Sequence, residues 1–224
     1  HSVALKINGS LWAWGDNSYG ECGDATRNEK LEPVRIGDDI DWKEIACGKN
    51  HSVALKINGS LWAWGDNSGR QLGTWTTSAI LIPTQIGTSN EWTSIASGSY
   101  YLVALTKYGK VWAWGDNSSG QCGAGENIQS FAPHKLSKSI NWEKVSCGDY
   151  HNILVKNDGS LGSWGANSKG QLDDGTNKSR NSAGIIGTDK DWAQIACRYD
   201  HNIAIKKDST LWAWGANNYG QQGS

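Results

Sequence analysis

The residues best suited to catalysis or metal binding are histidines and cysteines, and both recur at fixed positions. Histidine returns every 50 residues, with tyrosine in its place once; the positions are His1, His51, Tyr101, His151 and His201. A catalytic base or a metal ligand is needed once per site and not four times around a molecule. We therefore expect these imidazoles to be structural, each hydrogen-bonded to a nearby loop.

The positions of the cysteines also indicate a structural role and not a catalytic or metal-binding one. Cys22 and Cys122 share one position of the repeat, and the other three share a second position, namely Cys47, Cys147 and Cys197. Equivalent positions of different units should lie beyond the roughly 7 Å Cα separation that a disulfide tolerates. No Cys-x-x-Cys pair suggests zinc. We expect free structural thiols, and the sequence predicts no metal site.

Two further motifs resemble ligand sites, but each lacks a required part. The spacing Gly15-x-x-x-x-Gly20 is typical of a phosphate-binding loop, yet no Lys-Ser/Thr pair follows it. Trp12 and Trp14 suggest a stacking platform for bases or sugars. Because both faces of their stretch are apolar or small, we expect these indoles in the core. With no catalytic residue and no cofactor motif, we interpret the protein as non-enzymatic.

Charge and hydropathy exclude two classes of partner. The formal net charge is −1, so no basic field exists to hold nucleic acid. No apolar run approaches the roughly 18 residues of a membrane span. We predict that the protein binds no nucleic acid and does not insert into a membrane.

The elements that position these residues come from a repeat. Residues 1–18 return letter for letter at 51–68, and the frame returns at 101, 151 and 201 without insertion or deletion. A period of 50 residues indicates a propeller or a solenoid. The length of 224 residues equals four units of 50 plus 24. We treat 1–224 as a single propeller or propeller segment with units 1–50, 51–100, 101–150, 151–200 and the partial unit 201–224.

Each unit carries four strand signals, which we name A (43–47), B (51–57), C (60–64) and D (83–86). Asn58-Gly59 between B and C is a strong hairpin signal, because a type I′ turn needs positive φ at both central residues. Pro83 restricts D to the outer edge of the sheet. Since both faces of the strands are apolar or small, the sheets must stack on one another. We predict an all-β fold, a β-propeller of four-stranded antiparallel blades, with about four and a half blades in this chain.

The unit resembles a known family. The stretch Ala46-Cys-Gly-Lys-Asn-His-Ser52, followed by Gly59 and by Trp62-Ala-Trp-Gly-Asp-Asn67, is similar to the repeat of the regulator of chromosome condensation family. We place the chain near its bacterial-type members, such as the β-lactamase inhibitory propellers. The resemblance implies a propeller, usually of seven blades, that serves unrelated functions: nucleotide exchange on a small GTPase, ultraviolet-B sensing and β-lactamase inhibition.

Departures from the family weaken two of these functions. The plant photoreceptors carry sensing tryptophans in a Gly-Trp-Arg-His-Thr motif, and none of the matching stretches contains Trp; these are 48–51, 98–101, 148–151 and 198–201. The exchange factor's protruding β-wedge is an insertion, and the strict 50-residue register contains none. Ultraviolet sensing and nucleotide exchange are therefore disfavoured.

One face of the predicted propeller carries the residues that vary between units. Strands alternate in direction, so the A–B turns and C–D loops share a face. Tyr, Trp and Arg dominate interface hot spots, so this face predicts a binding site for an unidentified protein partner. Its candidate residues are Lys49, Asn50, Tyr100, Tyr101, Asp149, Tyr150, Arg198, Tyr199 and Asp200 on the A–B turns, and Tyr19, Arg70 and Trp75 on the C–D loops.

Two other functions stay open as alternatives. One is guanine-nucleotide exchange on a small GTPase. The other is a lectin with an equivalent sugar pocket in each blade, which requires exposed aromatic residues that do not change between units.

The strand order leaves an incomplete ring. It runs B-C-D, then A-B-C-D three times, then A-B-C, so both ends already carry B and C. We expect either further blades, as part of a larger ring, or copies of the chain in a homo-oligomer to complete the propeller.

Overall fold

The computed structural model describes residues 1–125, 130–136 and 141–223. They form eighteen strands and no helix. The first three sheets contain β1 (Ser2–Leu5), β2 (Leu11–Gly15) and β3 (Lys30–Arg35); then β4 (Trp42–Cys47), β5 (His51–Lys56), β6 (Leu61–Gly65) and β7 (Ile80–Gln85); then β8 (Trp92–Ser97), β9 (Tyr101–Thr106), β10 (Val111–Gly115) and β11 (Ser130–Lys135). The last two contain β12 (Trp142–Cys147), β13 (His151–Lys156), β14 (Leu161–Gly165) and β15 (Arg180–Ile186); then β16 (Trp192–Arg198), β17 (His201–Lys206) and β18 (Leu211–Gly215).

The sheets are antiparallel blades in the predicted order, which confirms the propeller fold. Each complete blade pairs its four strands in chain order, as in β4-β5-β6-β7. The A strands β4, β8, β12 and β16 contact one another from blade to blade and line the centre. The D strands pair only with C, so they form the outer edge.

The D strands begin earlier than the sequence predicts. β7 starts at Ile80, three residues before Pro83, because a bulge opposite Trp64 breaks the register between Ala63 and Gly65. Pro83 lies within the strand, and the missing N–H is tolerated because the other edge of D has no partner strand.

Tryptophans join each blade to the one before it. The indole Nε1 of Trp64 donates to the carbonyl of Glu21, at 2.8 Å, in the C–D loop of the preceding blade. Trp114 donates likewise to Gln71 at 3.1 Å, and Trp164 donates to Gln121 at 2.8 Å. These three indoles are fully buried. The indoles of Trp64, Trp114 and Trp164 are therefore core, as predicted for this position, whereas Trp12 and Trp14 of the first sheet are half-buried.

A lysine is held in a cage at the opposite end of the blade. The Nζ atom of Lys56 lies 4.8 Å from the ring centroid of Trp42 and 4.7 Å from that of Trp62. It also pairs with Asp39 at 2.6 Å and with Asp41 at 3.0 Å. The fifth sheet repeats this arrangement around Lys206. The cage ties strands A, B and C to the link that precedes A.

The two terminal sheets have three strands each, β1-β2-β3 and β16-β17-β18. Leu211 and Trp212 of β18 are 68% and 50% exposed, whereas the equivalent Leu61 is fully buried. These side chains face the position where another blade would pack. The completion of the ring, by further blades or by copies of the chain, stays a prediction.

Candidate protein-binding face

Backbone hydrogen bonds hold the A–B turns in a fixed arc around the centre of the molecule. The amide of Lys49 donates to the carbonyl of Ser99 at 3.2 Å, Ser99 donates to Asp149 at 3.2 Å, and Asp149 donates to Tyr199 at 2.9 Å. Each bond joins the same position of two successive blades. The turns thus form a rigid frame whose side chains are free to differ.

The C–D loops adjoin this frame, as predicted. In each blade the first residue of the loop donates its amide to the carbonyl of the preceding A–B turn, as from Asp66 to Asn50 at 2.8 Å and from Asp116 to Tyr100 at 2.9 Å. Asn67 then closes the loop on itself, since its Oδ1 accepts from the amide of Leu72 at 3.1 Å. Turn and loop therefore form one surface.

A cleft of about 520 Å³ opens at the centre of this surface. Its walls come from His1 and from the four A–B turns, and its rim carries Lys49, Asp149, Tyr150, Arg198 and Tyr199. Glycine at the start of three turns keeps the walls close together. A Cβ on Gly48 would lie 2.0 Å from the ring of His51 and 2.7 Å from the carbonyl oxygen of Gly98.

One side of the rim is a cluster of polar residues with mixed charge. Nζ of Lys49 lies 5.5 Å from the ring centroid of Tyr100. The hydrogen bond with Tyr100 raises the pKa of Lys49. Burial, with the nearby Asp116 and Asp149, raises the pKa of Tyr150. Lys49 is charged and Tyr150 is neutral at physiological pH, and both pKa shifts favour these states.

The other side of the rim carries an arginine over a tyrosine. Cζ of Arg198 lies 5.2 Å from the ring centroid of Tyr199, which is 59% exposed. Tyr199 has a φ of 48°, in the left-handed region that a bulky residue seldom adopts. Asp200 accepts a hydrogen bond from Gln171 at 3.2 Å and is half-buried.

Tyr101 does not belong to the exposed surface. It is fully buried, and its hydroxyl donates to the carbonyl of His151 at 2.7 Å and to that of Gly148 at 3.2 Å. Tyrosine here occupies the position that histidine takes in the other units. It is a residue of the blade-to-blade contact, and we leave it out of the binding face.

The three candidates of the C–D loops lie outside the cleft lining. Trp75 is 80% exposed, Tyr19 is 41% exposed and Arg70 is half-buried with a φ of 62°. They extend the face outward from the rim.

The repeated histidines join blades, as expected of structural residues, but through partners that the sequence did not indicate. Nε2 of His51 bonds to Oγ of Ser97 at 2.8 Å, and Nε2 of His151 bonds to Oδ1 of Asn202 at 2.7 Å. Both partners belong to the next blade and not to the turn beside the histidine. Burial lowers the pKa of His51 to about 4.

The thiols are free, as predicted, and all except the exposed Cys47 are buried or half-buried. Burial raises the pKa of Cys22 to about 11 and that of Cys197 to about 12. Within the described ranges no group of three His, Cys, Asp or Glu side chains could hold a metal ion. Cys47, Cys147 and Cys197 nevertheless line the cleft, a position that their place just before each A–B turn could have indicated.

Blades, loops and cleft define the class of this protein as a β-propeller whose turns surround a central cleft. The family model of the RCC1-like domain matches residues 1–224, and the chain belongs to that family. No curated protein matches the chain in sequence. Among the described residues, no helix has the length and apolar character to cross a bilayer.

Solved structures of propellers resemble the whole fold. Human WBSCR16 is 22% identical with a TM-score of 0.87, over 99% of this chain and 61% of that one. Yeast RCC1 (Prp20), solved with Kap60, is 24% identical with a TM-score of 0.83, over 96% and 54%. Prp20p from Saccharomyces cerevisiae, reported with its binding properties to Gsp1p and histones, is 23% identical with a TM-score of 0.81, over 98% and 56%. The chain thus spans 61% or less of these propellers.

Proposed function

We propose that this protein is a non-enzymatic, protein-binding propeller that contacts its partner through the face formed by the A–B turns and C–D loops. The observation that carries the proposal is the frame of backbone hydrogen bonds between Lys49, Ser99, Asp149 and Tyr199. It holds four different side chains at one position of the repeat, around one cleft. A rigid scaffold with variable tips is suited to a specific interface.

The composition of the face supports a protein partner. Tyr100, Tyr150, Tyr199 and Trp75 combine large apolar rings with polar tips and lose little conformational entropy on binding, which makes them typical hot-spot residues. Members of the RCC1-like family generally serve as binding or exchange scaffolds. Burial raises the pKa of the Cys197 thiol in the cleft wall to about 12, which disfavours its nucleophilic thiolate form.

A crosslinking experiment can identify the partner and test the face together. A photoreactive phenylalanine analogue replaces Tyr150 or Tyr199 on the rim and, as the matched control, Leu31 on the outer strand β3. In an extract of the source cells, the rim positions should crosslink to a discrete protein and Leu31 should not. Equal crosslinking from all three positions would contradict the proposed face.

The affinity of the identified protein then tests the residues. Tyr100→Ala, Tyr150→Ala and Tyr199→Ala should each weaken binding in calorimetry, by about 2 kcal/mol for a hot spot and less for a peripheral contact. The melting temperature should change little, because the three rings are at least partly exposed. If affinity is unchanged in the triple variant, the site assignment is wrong.

Nucleotide exchange and sugar binding can be tested on the same preparation. Release of labelled GDP from a small GTPase should not accelerate. The lectin alternative needs equivalent exposed aromatics, but Lys49, Ser99, Asp149 and Tyr199 occupy equivalent positions. The invariant Trp64, Trp114 and Trp164 are buried. A glycan array should therefore give no specific signal.

A further inference from the structure

Arg198 is unusual among the residues of the A–B turns. Its position is glycine in the other three turns, at Gly48, Gly98 and Gly148. In this turn β16 continues to Arg198, which pairs with His201, and the chain turns through Tyr199 in the left-handed conformation. A strained residue persists only where the surrounding structure holds it, and such residues cluster at binding and switch sites.

The guanidinium has an aromatic support but no acidic partner. It is exposed, lies over the ring of Tyr199 at 5.2 Å and lines the cleft. Among the described residues no carboxylate lies within 4.0 Å of it. The nearest acid in sequence is engaged elsewhere, since Asp200 accepts a hydrogen bond from Gln171, and Asp149 of the rim belongs to another turn.

We infer that Arg198, supported by Tyr199, is the anchor for a carboxylate that a protein partner inserts into the cleft, on the side chain of an Asp or Glu in a protruding loop. This inference rests on the proposed function and names the chemistry of its partner. A guanidinium stacked on a ring presents its N–H edge in a fixed direction, which suits two parallel bonds to a carboxylate. Because the ring holds the fork in place, less entropy is lost on binding.

The charges around the cleft favour a single carboxylate over a phosphate group. Asp149 lies on the same rim, so a dianion would be repelled. Lys49, at the other end of the arc of turns, also lines the cleft and lies 5.5 Å from the ring centroid of Tyr100. Arg198 is the one arginine among the described residues that line the cleft, and a partner should present an acid to its guanidinium at a defined position.

A loop library provides the probe. Disulfide-closed peptide loops displayed on phage are selected on the wild-type protein, and the binders are sequenced and measured against Arg198→Ala, Arg198→Lys and Arg35→Ala. Arg35 is an exposed arginine on the outer strand β3 and serves as the matched control. Those binders whose affinity falls when Tyr150 is replaced by Ala occupy the proposed face. They should share an Asp or Glu at one position of their sequence.

The expected affinities are ordered. Arg198→Ala should weaken these binders at least tenfold, Arg198→Lys should restore only part of the loss, and Arg35→Ala should change nothing. Replacing the shared acid by Asn or Gln should weaken the wild type and leave Arg198→Ala unaffected. A phosphoserine at that position should bind more weakly than Glu.

The outcomes separate this inference from the proposed function. Binders that depend on Tyr150 and Tyr199 but not on Arg198, or that share no acid, would overturn the carboxylate anchor and leave the binding face intact. Tighter binding of the phosphoserine loop would also overturn it. If no binder depends on any residue of the rim, the proposed face itself fails.

Discussion

Individual side chains in this protein mainly join one blade to the next. The Nε1 of Trp64 bonds to a loop of the preceding blade, and the ring of His51 bonds to Ser97 of the following one. Each such group is buried and has a single partner, so its loss leaves an unsatisfied polar atom in the core. Stability should therefore depend on these repeated polar contacts as much as on apolar packing.

Removal of one indole N–H tests this dependence. Trp64→Phe removes the N–H together with part of the buried indole and leaves the Glu21 carbonyl without its donor at 2.8 Å. It should lower the free energy of unfolding by about 2–4 kcal/mol, from the cavity and the lost bond together, measured by urea denaturation. Trp75→Phe, at an 80% exposed position, is the control and should change it by less than about 0.5 kcal/mol. Equal effects would contradict the role of the bond.

The buried histidines predict a loss of stability in acid. Burial lowers the pKa of His51 to about 4, below the usual value near 6.5. Its Nδ1 atom has no hydrogen-bond partner that could stabilise the protonated ring. As the pH falls, the His51 imidazole is therefore protonated at a higher pH in the unfolded chain than in the folded one. Stability is complete above about pH 6.5 and is lost as the pH falls toward 4, by roughly 3 kcal/mol for this residue.

The natural replacement provides the control for this effect. Tyr101 occupies the equivalent position and does not titrate in this range. His51→Tyr should therefore reduce the difference in unfolding free energy between pH 7 and pH 4.5. The same pH dependence in both proteins would show that other groups cause it.

At the scale of the elements, the A–B turns combine a uniform backbone with non-uniform side chains. Three turns begin with glycine because a Cβ would meet the histidine or tyrosine ring; a Cβ on Gly98 would lie 1.9 Å from the ring of Tyr101. The fourth carries Arg198 and compensates with positive φ at Tyr199. The strain at Tyr199 lowers the local stability of this turn, and the turn exposes the aromatic ring of Tyr199 and the guanidinium of Arg198.

Relief of that strain should separate stability from binding. Tyr199→Gly removes the left-handed side chain and should raise the free energy of unfolding by up to about 1 kcal/mol. It also removes the ring under Arg198 and should weaken partner binding. Lys49→Gly, at an equivalent position without positive φ, should not stabilise the protein. A destabilised Tyr199→Gly would contradict the strain.

The lysine cage gives a further prediction at this scale. Lys56→Met keeps the length of the side chain but loses the contacts with two indoles and two carboxylates. The free energy of unfolding should fall by about 1–2 kcal/mol. Lys107→Met, where the lysine is half exposed and pairs loosely with Glu91 at 3.8 Å, should leave it within about 0.5 kcal/mol.

At the scale of the whole molecule, the repeat explains how much of the fold could be predicted. The 50-residue period and the Asn-Gly turns were enough to predict the strands, their order and the stacked blades. The partners of His51 and Trp64 could not be predicted, because a strict period does not show which neighbouring blade a side chain reaches. For the same reason Tyr101 looked like a surface residue, whereas it replaces a buried histidine.

The left-handed turn at Tyr199 was beyond sequence reasoning for a different reason. Positive φ is expected at Gly or Asn, and the change from Gly48 to Arg198 at the start of the turn gives no direct signal of it. The sequence also gives no signal of the β-bulge that moves the start of strand D to Ile80, because the bulge depends on pairing with strand C.

Amide hydrogen exchange, measured with and without the partner identified by crosslinking, shows whether that protein covers the A–B turns and the C–D loops. Protection should appear at 48–50, 98–100, 148–150 and 198–200 and in the adjoining loops at 68–75. The B–C turns at 57–60, 107–110, 157–160 and 207–210, on the opposite face, should exchange at unchanged rates. Protection confined to those B–C turns or to the outer D strands would show that the partner does not bind the face formed by the A–B turns and C–D loops.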